Sequence, residues 1–217
     1  MRATFEQWVE AVFNHPVEKP EWYWSENFDS VWQRLGTSEP LTVNFLRQLF
    51  EKSEELKKYS LPQVGQGIWF LVGESSPAKP AHTLLNPSVP LSDRVSCVRG
   101  ITKFFRDYVA PSAPGAFDIE ADPFHIACYM WWDIFPTWGG SQAGEPELHQ
   151  ACLNVMQEIL QLPCELCRLS ALHGANHWRL NYENEVVSVI DAFLADTKDI
   201  TPRIREYAFA PRKGLCQ

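Results

Sequence analysis

Apolar residues return every three or four positions along most of this chain, and the strict alternation of a half-buried strand hardly occurs. Phe5, Trp8, Val9, Val12 and Phe13 trace one buried stripe, ended by Pro16. Phe28, Val31, Trp32 and Leu35 trace a shorter one, with Gly36 where a helix closes on a left-handed residue. Leu41, Phe45, Leu46, Leu49 and Phe50 follow, with Ser38 as the expected cap. Ser60-Leu61-Pro62-Gln63 has the form of a capping box ahead of Val64, Ile68, Leu71 and Val72. Leu91, Val95, Val98, Ile101, Phe105 and Tyr108 predict a long helix over 90–109. Leu148, Ala151, Cys152, Val155, Met156, Ile159 and Leu160 form the cleanest stripe of all. Three more helices are expected over 165–178, 183–195 and 202–210, the last capped by Thr201 with Pro202 at its first position. Segments 73–90 and 110–121 carry prolines at irregular intervals and read as long loops. The expected fold is all-α, a helical-hairpin array of about ten helices.

One segment breaks the amphipathic rule. Residues 122–136 open on Asp122-Pro123, an N-cap acid before an N1 proline, and close on Pro136. Nearly everything between is apolar, which predicts one helix without a wet face at the centre of the fold. Asp133 is the exception, a carboxylate that needs a partner if it is buried.

Composition narrows the function. The chain has 217 residues, 45% of them apolar, with nine tryptophans, which is ample material for a core. A single domain is expected, irregular over 1–121 and more regular over 122–217. Its net charge of −8 repels phosphate backbones and anionic membranes, so neither nucleic acid nor membrane is an expected partner. No apolar run is long enough for a leader or a span. Cys97, Cys128, Cys152, Cys164, Cys167 and Cys216 lie mostly within apolar helical patterns, the usage of reduced thiols in a cytoplasm.

The last third repeats itself weakly. Cys167-Arg168 with Ala171-Leu172 matches Ile204-Arg205 with Ala208-Phe209 at a separation of 37 residues. Leu148, Ala151, Cys152, Val155 and Met156 match Val186, Val189, Ile190, Phe193 and Leu194 at 38. Pro163 and Pro202 precede helices in which a small apolar residue, an arginine and an alanine recur at fixed offsets. On these positions roughly the last 70 residues resemble HEAT-repeat proteins, which implies helix pairs stacked as an α-solenoid. The Tyr-Met-Trp-Trp-Asp block at 129–133 and the Ala-Leu-His-Gly…His-Trp block at 171–178 are also similar to a group of bacterial proteins. That group has no established activity, so the resemblance implies a fold and nothing about catalysis.

Candidate chemistry is sparse. Cys164-x2-Cys167-x5-His173-x3-His177 invites a zinc reading, but on one helix Cys164 and His173 point about 180° apart, so four ligands cannot converge. His173 and His177 share a face at i, i+4, as in metal-binding helices, and need a third ligand such as Asp133 or Glu183. The metalloprotease glutamate is missing, because Gly174 holds its place. Ordinary hydrogen bonding in a packed interface, with Gly174 admitting a neighbouring helix, is the favoured reading of the pair. Asp133 has three fates, pairing with His173, His177, Arg168 or Arg179, capping another helix, or facing a cavity as base or ligand, and a structural role is the favoured one. Trp22, Tyr23, Trp24, Trp32 and Trp69 are expected in the core, with a ligand groove as the alternative. Trp138, beside Gly139-Gly140, is a candidate contact anchor or a lid.

No phosphate loop, dinucleotide fingerprint or nucleophile elbow occurs, and Ser75-Ser76 and Ser141 have no local base. The leading expectation is therefore a protein-interaction or scaffold module without a cofactor, binding another protein, such as an inhibitor or immunity partner of a basic toxin. The alternative is a hydrolase-like enzyme with a polar or divalent-metal site at Asp133, His173 and His177. A HEAT-like DNA glycosylase is disfavoured by the charge, since Arg203, Arg205, Arg212 and Lys213 make the only basic cluster. The oligomeric state is left open.

Overall fold

The computed structural model describes residues 2–74, 76–118, 122–137 and 145–213, and among these every regular element is helical. Twelve α-helices follow in chain order. They are α1 (Phe5–Phe13), α2 (Phe28–Arg34), α3 (Glu39–Glu51), α4 (Leu61–Val72), α5 (Leu91–Phe104) and α6 (Ala110–Ser112). Then come α7 (Pro123–Tyr129), α8 (Trp131–Ile134), α9 (Pro146–Leu160), α10 (Glu165–Trp178), α11 (Glu183–Asp196) and α12 (Pro202–Lys213). Short 3-10 turns cover Trp22–Trp24, Ser53–Lys58 and Pro80–Leu85, the last lying inside the expected loop 73–90. No helix among the described residues is long and apolar enough to cross a membrane.

The stripes become the core. All five stripe positions of α1 are buried, and Thr4 caps that helix through a reciprocal bond pair with Gln7. Ser60 and Gln63 form the same box on α4. Ser38 stands at the start of α3 but its side chain makes no cap bond there. Trp22, Tyr23, Phe28 and Trp32 all pack their rings on Phe70, but of the aromatic cluster expected in the core only Tyr23 is buried, while Trp22, Trp32 and Trp69 lie partly covered against the core. Tyr23 and Trp69 also wall a cavity of about 370 Å³ with Gln66, Pro123 and Ile126. Trp24 stays half exposed.

Two expected helices are remodelled. The rod over 90–109 runs on to Ser112 by way of a π turn at Phe105–Val109, where the Ala110 N–H reaches the Phe105 carbonyl. Pro111 accounts for it. Its ring would strike the carbonyl four residues back in a regular helix, and the wider turn makes room. The central apolar helix breaks at Met130 (φ −80°, ψ 3°), giving α7 and α8. The break buries both Trp131 and Trp132 and swings Asp133 toward α10. It also leaves a wet edge, since Pro123 is exposed and His125 and Ile126 are only partly covered.

The C-terminal helices form two successive hairpins, α9 with α10 and α11 with α12. Their short connections make each pair antiparallel. Like packs on like, α9 against α11 and α10 against α12. The helices of one hairpin start 37 residues before their counterparts in the next, at Pro146 and Glu183 and at Glu165 and Pro202. Such an array is compatible with a helical repeat.

Candidate functional site

The geometry around Asp133 begins with one face of α10. Ser170, His173, Gly174 and His177 fall at i, i+3, i+4 and i+7, a stripe of small and polar residues turned toward α7 and α8. Gly174 lets the backbones close, because a Cβ there would stand 2.5 Å from the Trp132 side chain. Ser170 Oγ donates to the Cys128 carbonyl at 2.7 Å. The break at Met130 leaves that carbonyl short of a regular helical partner, and the serine supplies the donor. With α10 clamped at these two points, the flanking imidazoles meet the carboxylate.

His177 Nε2 lies 3.0 Å from Asp133 Oδ1, His173 Nε2 lies 3.8 Å from Asp133 Oδ2, and the two Nε2 atoms are 3.4 Å apart. Among the described residues this is the group of histidine, cysteine and carboxylate side chains whose ligand atoms converge within 4.8 Å. The other nitrogen of His173 is held from behind. Its Nδ1 sits 3.2 Å from the hydroxyls of both Tyr129 and Tyr207, which are 2.8 Å from each other. Tyr129 also lies over the His173 ring and is stacked in turn by Phe117. Four helices therefore contribute: α7, α8, α10 and α12.

Burial lowers the His173 pKa, the charge of His177 lowers it further, and Asp133 opposes both only in part. A neutral His173 carrying its proton on Nδ1 donates to a tyrosine hydroxyl and turns its Nε2 lone pair toward His177 and Asp133. Burial, then the Tyr129 hydroxyl, pushes Tyr207 well up, so it keeps its proton. The side chains of Asp133, His177 and His173 are 25%, 20% and 13% exposed, so the cluster reaches solvent.

The two arginines named as candidates turn away. Arg168 and His173 are five residues apart on α10, about 140° around the helix. Arg168 instead donates to the Leu160 carbonyl and to the carbonyl and carboxylate of Asp199, tying one hairpin to the next. Arg179 points about 200° from His177 and pairs with Glu183. Cys164 and Cys167 lie at the start of α10 and take no part in the cluster. Trp138 lies outside the described residues, as does Cys216.

Tyr129 and Tyr207 were not legible as site residues. Tyr129 stands four residues before Asp133, a spacing that places both on one side of a helix, and that was the available signal. Tyr207 offered none, since only the stacking of α12 on α10 brings it in. Searches against family models, curated proteins and solved structures returned no match to this chain.

Proposed function

We propose that the chain binds a divalent transition metal at Asp133, His173 and His177, and that the ion serves a hydrolytic reaction. The observation that carries this reading is the spacing of the three side chains. Ligand atoms held by zinc at roughly 2.0–2.1 Å in a tetrahedron stand roughly 3.3–3.4 Å from one another. The separations here, 3.0, 3.4 and 3.8 Å, bracket that edge. The tyrosines behind His173 support it, because a ligating imidazole commonly has its other nitrogen hydrogen-bonded by an oxygen that fixes its orientation. The lowered pKa of His173 supports it as well, since a ligand must be neutral. Two imidazoles and a carboxylate suit zinc, iron or manganese better than calcium. They are also the complement found in hydrolytic zinc centres, where bound water becomes acidic enough to supply hydroxide near neutral pH.

Elemental analysis of the tag-free protein, beside calorimetry of the chelator-treated protein with zinc or manganese, tests the metal. One ion per chain, lost in His177→Ala, is the expected result. No stoichiometric metal and no heat of binding would leave an ion pair that merely holds α8 to α10.

A second reading is a protein-interaction module of HEAT-like type, one cytoplasmic domain with halves 1–121 and 122–217. The stacked hairpins and their Arg168–Asp199 link favour it. The net charge of −8 points to a basic partner, as for an inhibitor or immunity protein. Salt-sensitive association with a basic protein, unchanged in His177→Ala, would support this reading over the first.

A further inference from the structure

A second cluster of reactive side chains lies at the opposite end of α10 from the histidines. Cys164 is the N-cap residue of this 14-residue helix, and its sulfur accepts the backbone N–H of Cys167 at 3.5 Å. The Cys167 thiol adjoins the same sulfur, and Cys128 on α7 lies near the pair. On its outer side Cys164 meets the Ala113 carbonyl at 3.9 Å, in the segment that follows α6. Cys164 is 6% exposed and Cys167 is fully covered. Residues three apart at the start of a helix stand within the span that a disulfide bridges.

We propose that Cys164 and Cys167 form a redox-active dithiol, with Cys164 as the nucleophile and Cys167 as the resolving thiol, oxidised by hydroperoxide. Two surroundings divide the roles. The Cys167 thiol above all, then the backbone N–H groups of the helix start and the nearby positive charge of Arg168, bring the Cys164 pKa down to about 7 despite burial. Cys167, as the donor to that sulfur and buried among apolar groups, is pushed far up and stays protonated. Buried Cys97 and Cys152 are raised by burial, which the Arg47 charge near Cys97 and the Thr137 hydroxyl beside Cys152 offset only in part.

The chemistry closes with hydrogen peroxide as the oxidant. The Cys164 thiolate attacks one peroxide oxygen, an S–O bond forms, the O–O bond breaks, and the departing hydroxide takes the proton that the Cys164 thiol gave up and leaves as water. The Cys167 sulfur then attacks Cys164, the S–S bond forms and the S–O bond breaks. The second hydroxide leaves with the Cys167 proton as water. Two thiols and one peroxide thus give one disulfide and two waters. With Cys164 only 6% exposed, an oxidant as small as hydrogen peroxide suits it better than a bulky disulfide.

The test is stoichiometric hydrogen peroxide added to the folded, reduced protein, followed by thiol counting and peptide mass spectrometry. Two thiols should disappear, both mapped to Cys164 and Cys167, and dithiothreitol should restore them. Cys164 should react at least ~10-fold faster than Cys97 or Cys152. Cys167→Ser should stop at the sulfenic acid, captured on Cys164 by dimedone. Cys164→Ser keeps an oxygen at the N-cap and so keeps the helix start. With its melting curve unchanged, it should abolish the fast phase. An unchanged thiol count in the folded protein, or oxidation seen only in urea, overturns the proposal.

Discussion

Gly174 and Trp132 are in such close contact that a methyl group at 174 has nowhere to go: its carbon would lie 2.5 Å from both Cβ and Cγ of the tryptophan. Neither side can yield easily, because Trp132 is fully buried and Gly174 sits inside a helix packed on both faces. On an exposed helix, replacing glycine by alanine stabilises by about 1 kcal/mol. Here the sign should reverse. Gly174→Ala should cost about 1–3 kcal/mol, the usual penalty for overpacking a core, read as a lower urea midpoint. Because Asp133 and His173 adjoin the two residues in sequence, parting the helices should also weaken metal binding. A variant as stable as the parent would show that α8 and α10 do not meet as described.

Arg168 ties the two C-terminal hairpins through unequal partners. Its guanidinium is buried while the Asp199 carboxylate is exposed, and the arginine also serves two backbone carbonyls and lies over the Phe193 ring. Removing the arginine strips donors from the buried Leu160 carbonyl and from that of Asp199, whereas removing the carboxylate leaves the arginine most of its partners. Arg168→Ala should cost at least about 1.5–3 kcal/mol, the range for one hydrogen bond to a charged group. Asp199→Ala should cost less. Equal urea midpoints for the two variants would sink this account of the link.

Acid should loosen the fold in a defined window. His82, His149 and His173 all have pKa values lowered from the ordinary 6.5, in each case chiefly by burial. As pH falls through 6.5 the unfolded chain binds protons that the folded chain still refuses, so stability declines with acid and is flat above that point. The carboxylates of Asp107, Asp191 and Asp199 act in the same direction. Their pKa values are lowered from 3.8 by arginine partners, so their contribution is lost only at much lower pH. The melting temperature should therefore begin to fall between about pH 6.5 and 5, before the carboxylates titrate. A curve flat over that interval would mean that the three imidazoles take up protons in the fold as readily as in the unfolded chain.

What could be read from residues alone was whatever depends on local spacing. The α1 stripe, the Ser60–Gln63 box and the Thr201 cap are short-range features, and each occurs where the pattern put it. The break at Met130 was illegible because an uninterrupted apolar run carries no phase: nothing in it says where the helix must turn to bury both tryptophans. The π turn ahead of Pro111 was hidden for a related reason, since a proline announces disruption without saying whether the rod stops or widens. His173 and His177 were visible as a pair by their spacing, and Asp133 by its isolation. Their second layer was not, because Tyr207 reaches His173 from a helix 34 residues further along.

That second layer gives the sharpest test of the metal reading. Tyr129 and Tyr207 both place a hydroxyl 3.2 Å from His173 Nδ1, while Asp133 and His177 approach its Nε2. If His173 binds an ion through Nε2, the hydroxyls fix the tautomer and the ring orientation, and their loss should loosen the ion without removing a ligand. Partners of this kind are typically worth about 10–100-fold in affinity. Tyr129→Phe and Tyr207→Phe should each give part of that loss, since the remaining hydroxyl can still meet Nδ1, and the double variant should give the whole of it. Both rings stay in place, so packing against Phe117 and His173 is kept and the melting curve without metal should move little. Calorimetry with zinc separates the outcomes. A double variant that binds zinc as tightly as the parent would show that the tyrosines only pack against the histidine. A double variant that unfolds without metal would place their hydrogen bonds in the scaffold instead of the site.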